Sequence, residues 1–340
     1  MDAWLEPFAF EFFRHGLYAS LMVGALCGLM GVYIVLRGMS YIGHGLSHAA
    51  FGGAVLGYVF NVSFYVGAII AGFLAALLIN RLAAGNKIKS DAAIGIVSTA
   101  FFALGVALIS RVREFTQSFE AALFGNILGI TSFDLTIIFL VLIVTSLTVF
   151  FLYKPLLFST FDEDAAKVFG VKGEWIQTIF SLLLALSIIA SMNIVGVTMI
   201  AASLVIPASV ARLLTDDFGK MLFLSVGIGI LMGGGGMYSS YHVDAASGAT
   251  IVLFGAFIFC VVLAYNAIRD KIAQHEHLHR HGEIVHSHPH AHDGTHLHEH
   301  VGMEHKHPHK HDDYEHEHEH VEAHHRSHVQ PAVDDKSNKL

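Results

Sequence analysis

His44 and His48 stand four residues apart in the stretch Leu36-Arg-Gly-Met-Ser-Tyr-Ile-Gly-His-Gly-Leu-Ser-His-Ala-Ala-Phe-Gly-Gly53. On a helix that spacing puts both imidazoles on one face. A pair of imidazoles suits Zn²⁺ and related borderline metals. Apart from His15 they are the only histidines in the first 200 residues. Both fall at the edge of an apolar run, where an ionisable group is expensive and therefore a functional hypothesis. A zinc-protease reading fails, because a helical His-Glu-x-x-His motif needs Glu as its general base. Position 45 is glycine. No Gly-x-x-x-x-Gly-Lys-Ser/Thr loop occurs either. Any ATP used must therefore be bound by another polypeptide.

Two weaker candidates lie elsewhere. His242 and Asp244 sit in the segment Tyr238–Gly248, expected on the outer face, where they could receive a cation. Glu114 and Glu120, expected on the same side, could attract cations electrostatically. The segment Lys154–Glu174 has the marks of a short helix on the opposite face. Asp162, Glu163 and Asp164 complement a helix dipole. Ser159 or Thr160 could cap it, and Gly170 could end it. Such a helix could be an ordinary connection or a dock for a soluble partner.

Of the 25 histidines, 21 follow Asp270. They alternate with other residues at His275, His277, His279 and His281, then at His286, His288, His290 and His292, and at His296, His298 and His300. The pattern returns at His305, His307, His309 and His311, and at His316, His318 and His320. Interleaved acids argue against a purification tag. A His-x-His repeat reads compositionally as a metal-binding tract, best matched to Zn²⁺, Ni²⁺ or Cu²⁺. Its low apolar content predicts disorder. A pH-responsive polyampholyte is the other reading, since histidine titrates near pH 6.5.

The remaining residues must position these groups in a membrane. Of the 340 residues 54% are hydrophobic and 14% charged, against roughly 25% charged in soluble proteins. A soluble enzyme is excluded on that count. A nucleic-acid binder is excluded by 20 basic against 28 acidic residues with no basic patch. Two cysteines, Cys27 and Cys260, lie in apolar runs and read as small buried hydrophobes, with no disulfide framework. Nine runs approach the ~20 apolar residues a span needs. They are Gly16–Leu36, Leu46–Phe60, Phe64–Asn80, Ala92–Ser110, Leu135–Tyr153, Ile176–Ile194, Val195–Leu213, Met221–Met237 and Gly248–Ala267. Phe119–Ile130 is too short to cross and reads as a short or re-entrant helix. Met1–Phe13 lacks the basic start of a signal peptide.

Lys/Arg bias sets the orientation. With the N-terminus outside, Arg37, Arg81, Lys87, Lys89, Lys154, Lys167, Lys172, Arg212, Lys220 and Arg269 fall inside. Only Arg14, Arg111 and Arg113 fall outside. The tail is then cytoplasmic. Gly24, Gly28, Gly31, Gly52, Gly53 and Gly57 predict close helix approach. Gly233–Gly236 and Pro207 suit broken or moving helices, and simple irregularity equally well. The expected fold is all-α: a polytopic transmembrane bundle over residues 1–270 with a disordered His-rich tail over 271–340.

The chain resembles the membrane permease subunit of bacterial ABC importers for zinc and manganese over roughly residues 10–270. Leu36–Gly53 resembles that family's Leu-Arg-x-x-Ser…Ser-His-Ala signature. Ser90-Asp-Ala-Ala-Ile-Gly-Ile96 resembles the entry to a span. Val195–Arg212 and Ala246-Ser-Gly-Ala-Thr-Ile-Val252 resemble its closing segments. The resemblance implies a type II importer in which two permease copies flank the path in the inner membrane. Cytoplasmic ATPase subunits would dock on Ser159–Val171, around Asp162, Glu163, Asp164, Ala165, Ala166 and Gly170. An extracytoplasmic binding protein would deliver the metal. In the family an acidic residue and a histidine four apart form a transient metal site; here His48 matches the histidine and His44 replaces the acid. Two imidazoles favour Zn²⁺ over the harder Mn²⁺. Zinc is therefore the expected cargo, with manganese as the alternative and no tightly held cofactor. A proton- or ion-coupled secondary metal carrier is the competing transporter, disfavoured by the scarcity of acids within the spans. A membrane-anchored metal store ranks last.

Overall fold

The computed structural model describes residues 4–84, 88–111, 123–125, 129–161, 172–281, 284–291, 306–311 and 314–319. They fall into two compact units, Met1–Leu263 and Ala264–Leu340. In the first, a 3-10 turn at Glu6–Ala9 precedes α1 (Glu11–Leu36), α2 (Ile42–Val59), α3 (Phe64–Ala84) and α4 (Ser90–Ile109). Then come α5 (Ser132–Phe151), a short α6 (Tyr153–Phe161), α7 (Gly173–Val195), α8 (Ile200–Leu214) and α9 (Phe218–Val243). A last helix, α10 (Ser247–Ala273), runs into the second unit.

Local chemistry sets several ends. Thr131 and Asp134 form a reciprocal capping box at the start of α5. The Asp217 side chain accepts from the Lys220 amide at the start of α9. Gly38, with φ +65°, closes α1 in a Schellman turn: Gly38 N–H donates to Val35 O at 3.1 Å and Met39 N–H to Ile34 O at 3.0 Å. Gly196, with φ +86°, ends α7.

Every predicted span corresponds to a helix, but they are not equal. Seven are long and apolar enough to cross a membrane: α1, α3, α4, α5, α7, α9 and α10. The other two, α2 and α8, fall below that mark. α2 is diluted by its histidines and glycines. α8 has only 15 residues, about 22 Å of helix against a hydrocarbon core of about 30 Å. The predicted run Val195–Leu213 begins in non-helical backbone, and α8 starts only at Ile200. Pro207 lies inside α8 and does not end it. The four glycines Gly233–Gly236 do not break α9 either, which runs on to Val243. They are contact points: a Cβ at Gly233 would overlap the Ser20 carbonyl, and one at Gly236 the Ile251 backbone. In lipid a helix is also the only way to satisfy that backbone.

The same logic recurs along α1. It lies antiparallel to α9, with Ser20, Gly24 and Gly28 facing Gly233, Gly229 and Ser225. A Cβ at Gly24 or Gly229 would overlap the other's carbonyl, and one at Gly28 that of Ser225. The Ser225 hydroxyl donates to Gly28 O at 2.7 Å. Gly31 meets the Leu204 carbonyl of α8. Likewise α2 lies between α3 and α4, with Gly53 against Gly67 and Ala71 and Gly52 against Phe101 and Gly105. α1 and α7 are largely buried, whereas α5 and α10 turn apolar side chains such as Leu140 and Phe257 outward. Exposed apolar area on that scale calls for lipid or a partner. Cys27 is buried as expected; Cys260 is not, since it lies on the open face of α10.

Most of Phe119–Ile130 lies outside the described residues. Its described part, Leu123–Gly125, packs on the α7–α8 junction: Thr198 Oγ1 donates to Leu123 O at 2.8 Å. The described residues of the second unit form two short ladders. β1 (Gln274–His281) pairs antiparallel with β2 (Ile284–Ala291), and β3 (Lys306–His311) with β4 (Tyr314–Glu319). Alternation with period two is the period of a strand. Two-stranded ladders alone are marginal in water, so they add no core.

Replacing Gly24 by valine forces α1 and α9 apart. The expected loss is about 3 kcal/mol or more, as for severe overpacking, read as a lower thermal unfolding midpoint in detergent. Gly95, whose added Cβ meets nothing within 4 Å, serves as the control, and Gly95→Ala should leave the midpoint unchanged.

Candidate metal centre

His44 and His48 project from the first two turns of α2. Their Nε2 atoms lie 3.0 Å apart, so one ring donates and the other accepts. Two imidazoles bound to one tetrahedral metal at 2.0–2.1 Å would place those nitrogens about 3.3 Å apart. The pair therefore needs only a small opening to clasp an ion. Both rings are half-buried. Phe102 of α4 packs edge-on against His48 with centroids 4.6 Å apart, and Tyr41 lies 5.7 Å from His44. Phe102 thus fixes the His48 ring and keeps water off one side. His48 Nδ1 is buried without a hydrogen-bond partner among the described residues. A metal-bound imidazole usually donates that second N–H to a carboxylate or carbonyl. Such support would raise affinity, and its lack suits an ion that must leave again.

Irregular backbone lies one residue away. Ser47 Oγ donates to Val197 O at 3.0 Å, in the non-helical junction between α7 and α8. Gly43 packs against Ala201 and Leu204 at the start of α8. Non-helical backbone inside a membrane bundle is tolerated where protein covers it or where it lines a cavity. Glycine is required there on both sides: Gly196 meets Leu123 and Gly125, and Gly248 meets Val195 and Phe124.

Among the described residues no three His, Cys, Asp or Glu side chains converge on one point. The two imidazoles are thus half of a tetrahedral set. His242 and Asp244 are not brought to them. His242 is exposed at the end of α9 and packs on the rings of Tyr238, Tyr241 and Trp4. Asp244 is the exposed left-handed cap of that helix, with φ +54°. Glu114 and Glu120 lie outside the described residues, as do Asp162, Glu163, Asp164, Ala165, Ala166 and Gly170. Ser159 and Thr160, read as starting a helix, instead finish α6. Their hydroxyls donate back to Leu156 O at 3.1 and 2.6 Å. Of the tail histidines, those on the four strands are placed by register alone. His275 is opposite His290, His277 opposite His288 and His279 opposite His286. His307 is opposite His318 and His309 opposite His316.

Two polar clusters are not apparent from residue spacing. Arg37, which the sequence offered as an inside charge and as part of the Leu-Arg-x-x-Ser stretch, is half-buried and stacks on Phe180 with Cζ 4.3 Å from the ring centroid. It donates to Ser159, Thr160 and Gln177. Burial lowers its pKa to about 10, which leaves it charged at neutral pH. At the far end of the bundle, Tyr65 of α3 donates to Asp134 of α5 and accepts from Asn193 of α7 at 2.9 Å. The capping pattern Thr131-x-x-Asp134 was a signal for half of that knot. Its partners came from distant helices.

Comparison with known proteins gives this geometry a setting. The model of a family described as the ABC 3 transport family matches residues 9–266. The chain is 36% identical over 258 residues to a Halalkalibacterium halodurans protein named "Manganese transport system membrane protein MntC", covering 76% of this chain and 88% of that one. It is 34% identical over 270 residues to a Haemophilus influenzae protein named "Probable iron transport system membrane protein", covering 79% of this chain and 99% of that one. Among solved structures, one described as PsaBC from Streptococcus pneumoniae in complex with Fab superposes with a TM-score of 0.69 at 35% identity. The match covers 75% of this chain and 91% of that chain.

Proposed function

Since the chain belongs to the ABC 3 transport family, we propose that it is the membrane-spanning permease of an ATP-driven importer of a divalent transition metal. The observation that carries the reading is the His44–His48 pair. It holds two convergent nitrogens 3.0 Å apart, beside irregular backbone, in a bundle with seven helices fit to cross a membrane. A half-complete ligand set is what a dimer would complete. A second copy of the chain brings another His44 and His48 to a shared path, making four donors. Energy comes from separate ATPase subunits on the Arg37 face, and an extracytoplasmic binding protein supplies the ion. In this reading the chain sits in the inner membrane with the N-terminus outside and the tail in the cytoplasm, the orientation that the Lys/Arg bias favours.

The relatives' names bear on the cargo. They speak of manganese and iron rather than zinc, so manganese is the first reading and the expectation of zinc gives way to it. Zinc stays as a second reading because of one feature, the imidazole at position 44. Hard Mn²⁺ favours carboxylate, whereas Zn²⁺ accepts two imidazoles readily. The His-rich tail deepens the metal reading. Its ladders pair histidine with histidine in register. There the tail would receive or buffer metal at the exit.

ATP- and binding-protein-dependent uptake of ⁵⁴Mn and ⁶⁵Zn by the complete complex in vesicles tests the site. His48→Ala should lower uptake by at least about tenfold, the smaller end of what lost support for a metal ligand costs. Uptake equal to wild type would remove the assignment. His44→Asp should raise the manganese-to-zinc ratio, and an unchanged ratio would show that position 44 does not select the ion. Deleting residues 271–340 should alter uptake or tolerance at limiting or excess metal. Identical behaviour at both extremes would rule out an exit role for the tail.

A further inference from the structure

Arg37 joins three elements that are far apart in sequence. Its Nε donates to Thr160 Oγ1 at 3.1 Å, Nη2 to Ser159 Oγ at 2.9 Å, and Nη1 to Gln177 Oε1. The guanidinium plane also covers the Phe180 ring of α7. Only a planar fork can meet three acceptors and an aromatic face at once; a lysine ammonium cannot. All four of these partners are uncharged. Hydrogen bonds to neutral hydroxyl and amide groups at a membrane edge exchange with water more readily than a desolvated ion pair does. The clamp can therefore open and close.

What the clamp holds is equally specific. On one side, Ser159 and Thr160 end α6, directly before the segment 162–171. On the other, Arg37 caps the end of α1 at the Schellman turn. That turn is closed by Gly38 and Met39, and Ile42 N–H then donates to Met39 O at 3.0 Å, starting α2. His44 follows two residues later. Fixed contacts thus run from the end of α6 through the guanidinium and a hydrogen-bonded turn into the helix that carries the imidazole pair.

We propose that Arg37 is a positioning residue that couples movement at the end of α6 to the His44–His48 pair. The proposal rests on the permease reading above. In it, ATP-driven displacement of α6 remakes the three hydrogen bonds and shifts the first turn of α2, which opens or closes the spacing between the two imidazoles. Coupling is then lost when the fork is lost, even though the charge remains.

The test uses the complete complex in proteoliposomes, with ATP hydrolysis and ⁵⁴Mn and ⁶⁵Zn uptake measured together. Arg37→Lys should still co-purify with the ATPase and hydrolyse ATP at close to the wild-type rate. Ions moved per ATP should fall at least about fivefold, the lower end of ordinary coupling between sites. Ser159→Ala with Thr160→Val should also lower ions moved per ATP, and adding Arg37→Lys to it should lower them no further. If Arg37→Lys fails to fold, the double hydroxyl variant, which keeps Arg37, carries the same test. The proposal is overturned if ions per ATP stay within about twofold of wild type in these variants. It is also overturned if the losses multiply, or if the ATPase no longer binds, since Arg37 would then only build the docking face. Wild-type complex without ATP-dependent uptake would overturn the permease reading itself, and the proposal with it.

Discussion

The contact on which the bundle depends is backbone against backbone between α1 and α9. In a membrane there is no hydrophobic gain from bringing two apolar helices together, since lipid tails are as apolar as leucine. Attraction must come from close packing. Ser20, Gly24 and Gly28 remove side chains from one strip of α1, and Gly233, Gly229 and Ser225 do the same on α9. Carbonyls then sit where a Cβ would be, and the Ser225 hydroxyl finds Gly28 O. With α1 held in this way, Gly31 can receive α8, and the end of α1 is presented where Arg37 can reach α6 and α7.

A second glycine contact does the corresponding work for the imidazole pair. α2 has 18 residues and carries two histidines and five glycines along its length. It is enclosed, with Gly53 on α3 and Gly52 on α4. That enclosure brings Phe102 onto the His48 ring and Ser47 onto the Val197 carbonyl. The histidines therefore stand at the junction of regular helix and irregular backbone.

Some of this was legible in residue order. Helix positions followed from apolar runs. The facing of His44 and His48 followed from spacing, and close helix approach from the small residues of α1 and α2. Gly233–Gly236 misled, because glycine weakens a helix in water, while in a packed membrane bundle the absence of side chains is what lets neighbours in. Val195–Leu213 misled for the opposite reason. Its composition is continuous, but Gly196 has a positive φ that ends α7, and that turn is stabilised by Leu123, Gly125 and Gly248. None of those partners is near it in sequence.

The sequence by itself determined the class of the molecule: an apolar helical chain with one i, i+4 imidazole pair, joined to a histidine-rich one. Those conclusions depend on composition and on periods of a few residues, which the chain carries locally. Only the tertiary structure decided that Gly196 parts α7 from α8, that Ser159 and Thr160 belong to Arg37, and that Tyr65, Asp134 and Asn193 meet. The reason is physical. Each of these facts depends on a close approach between helices, and that approach is set by which small residues face each other after packing. No window along the chain contains both sides of such a contact.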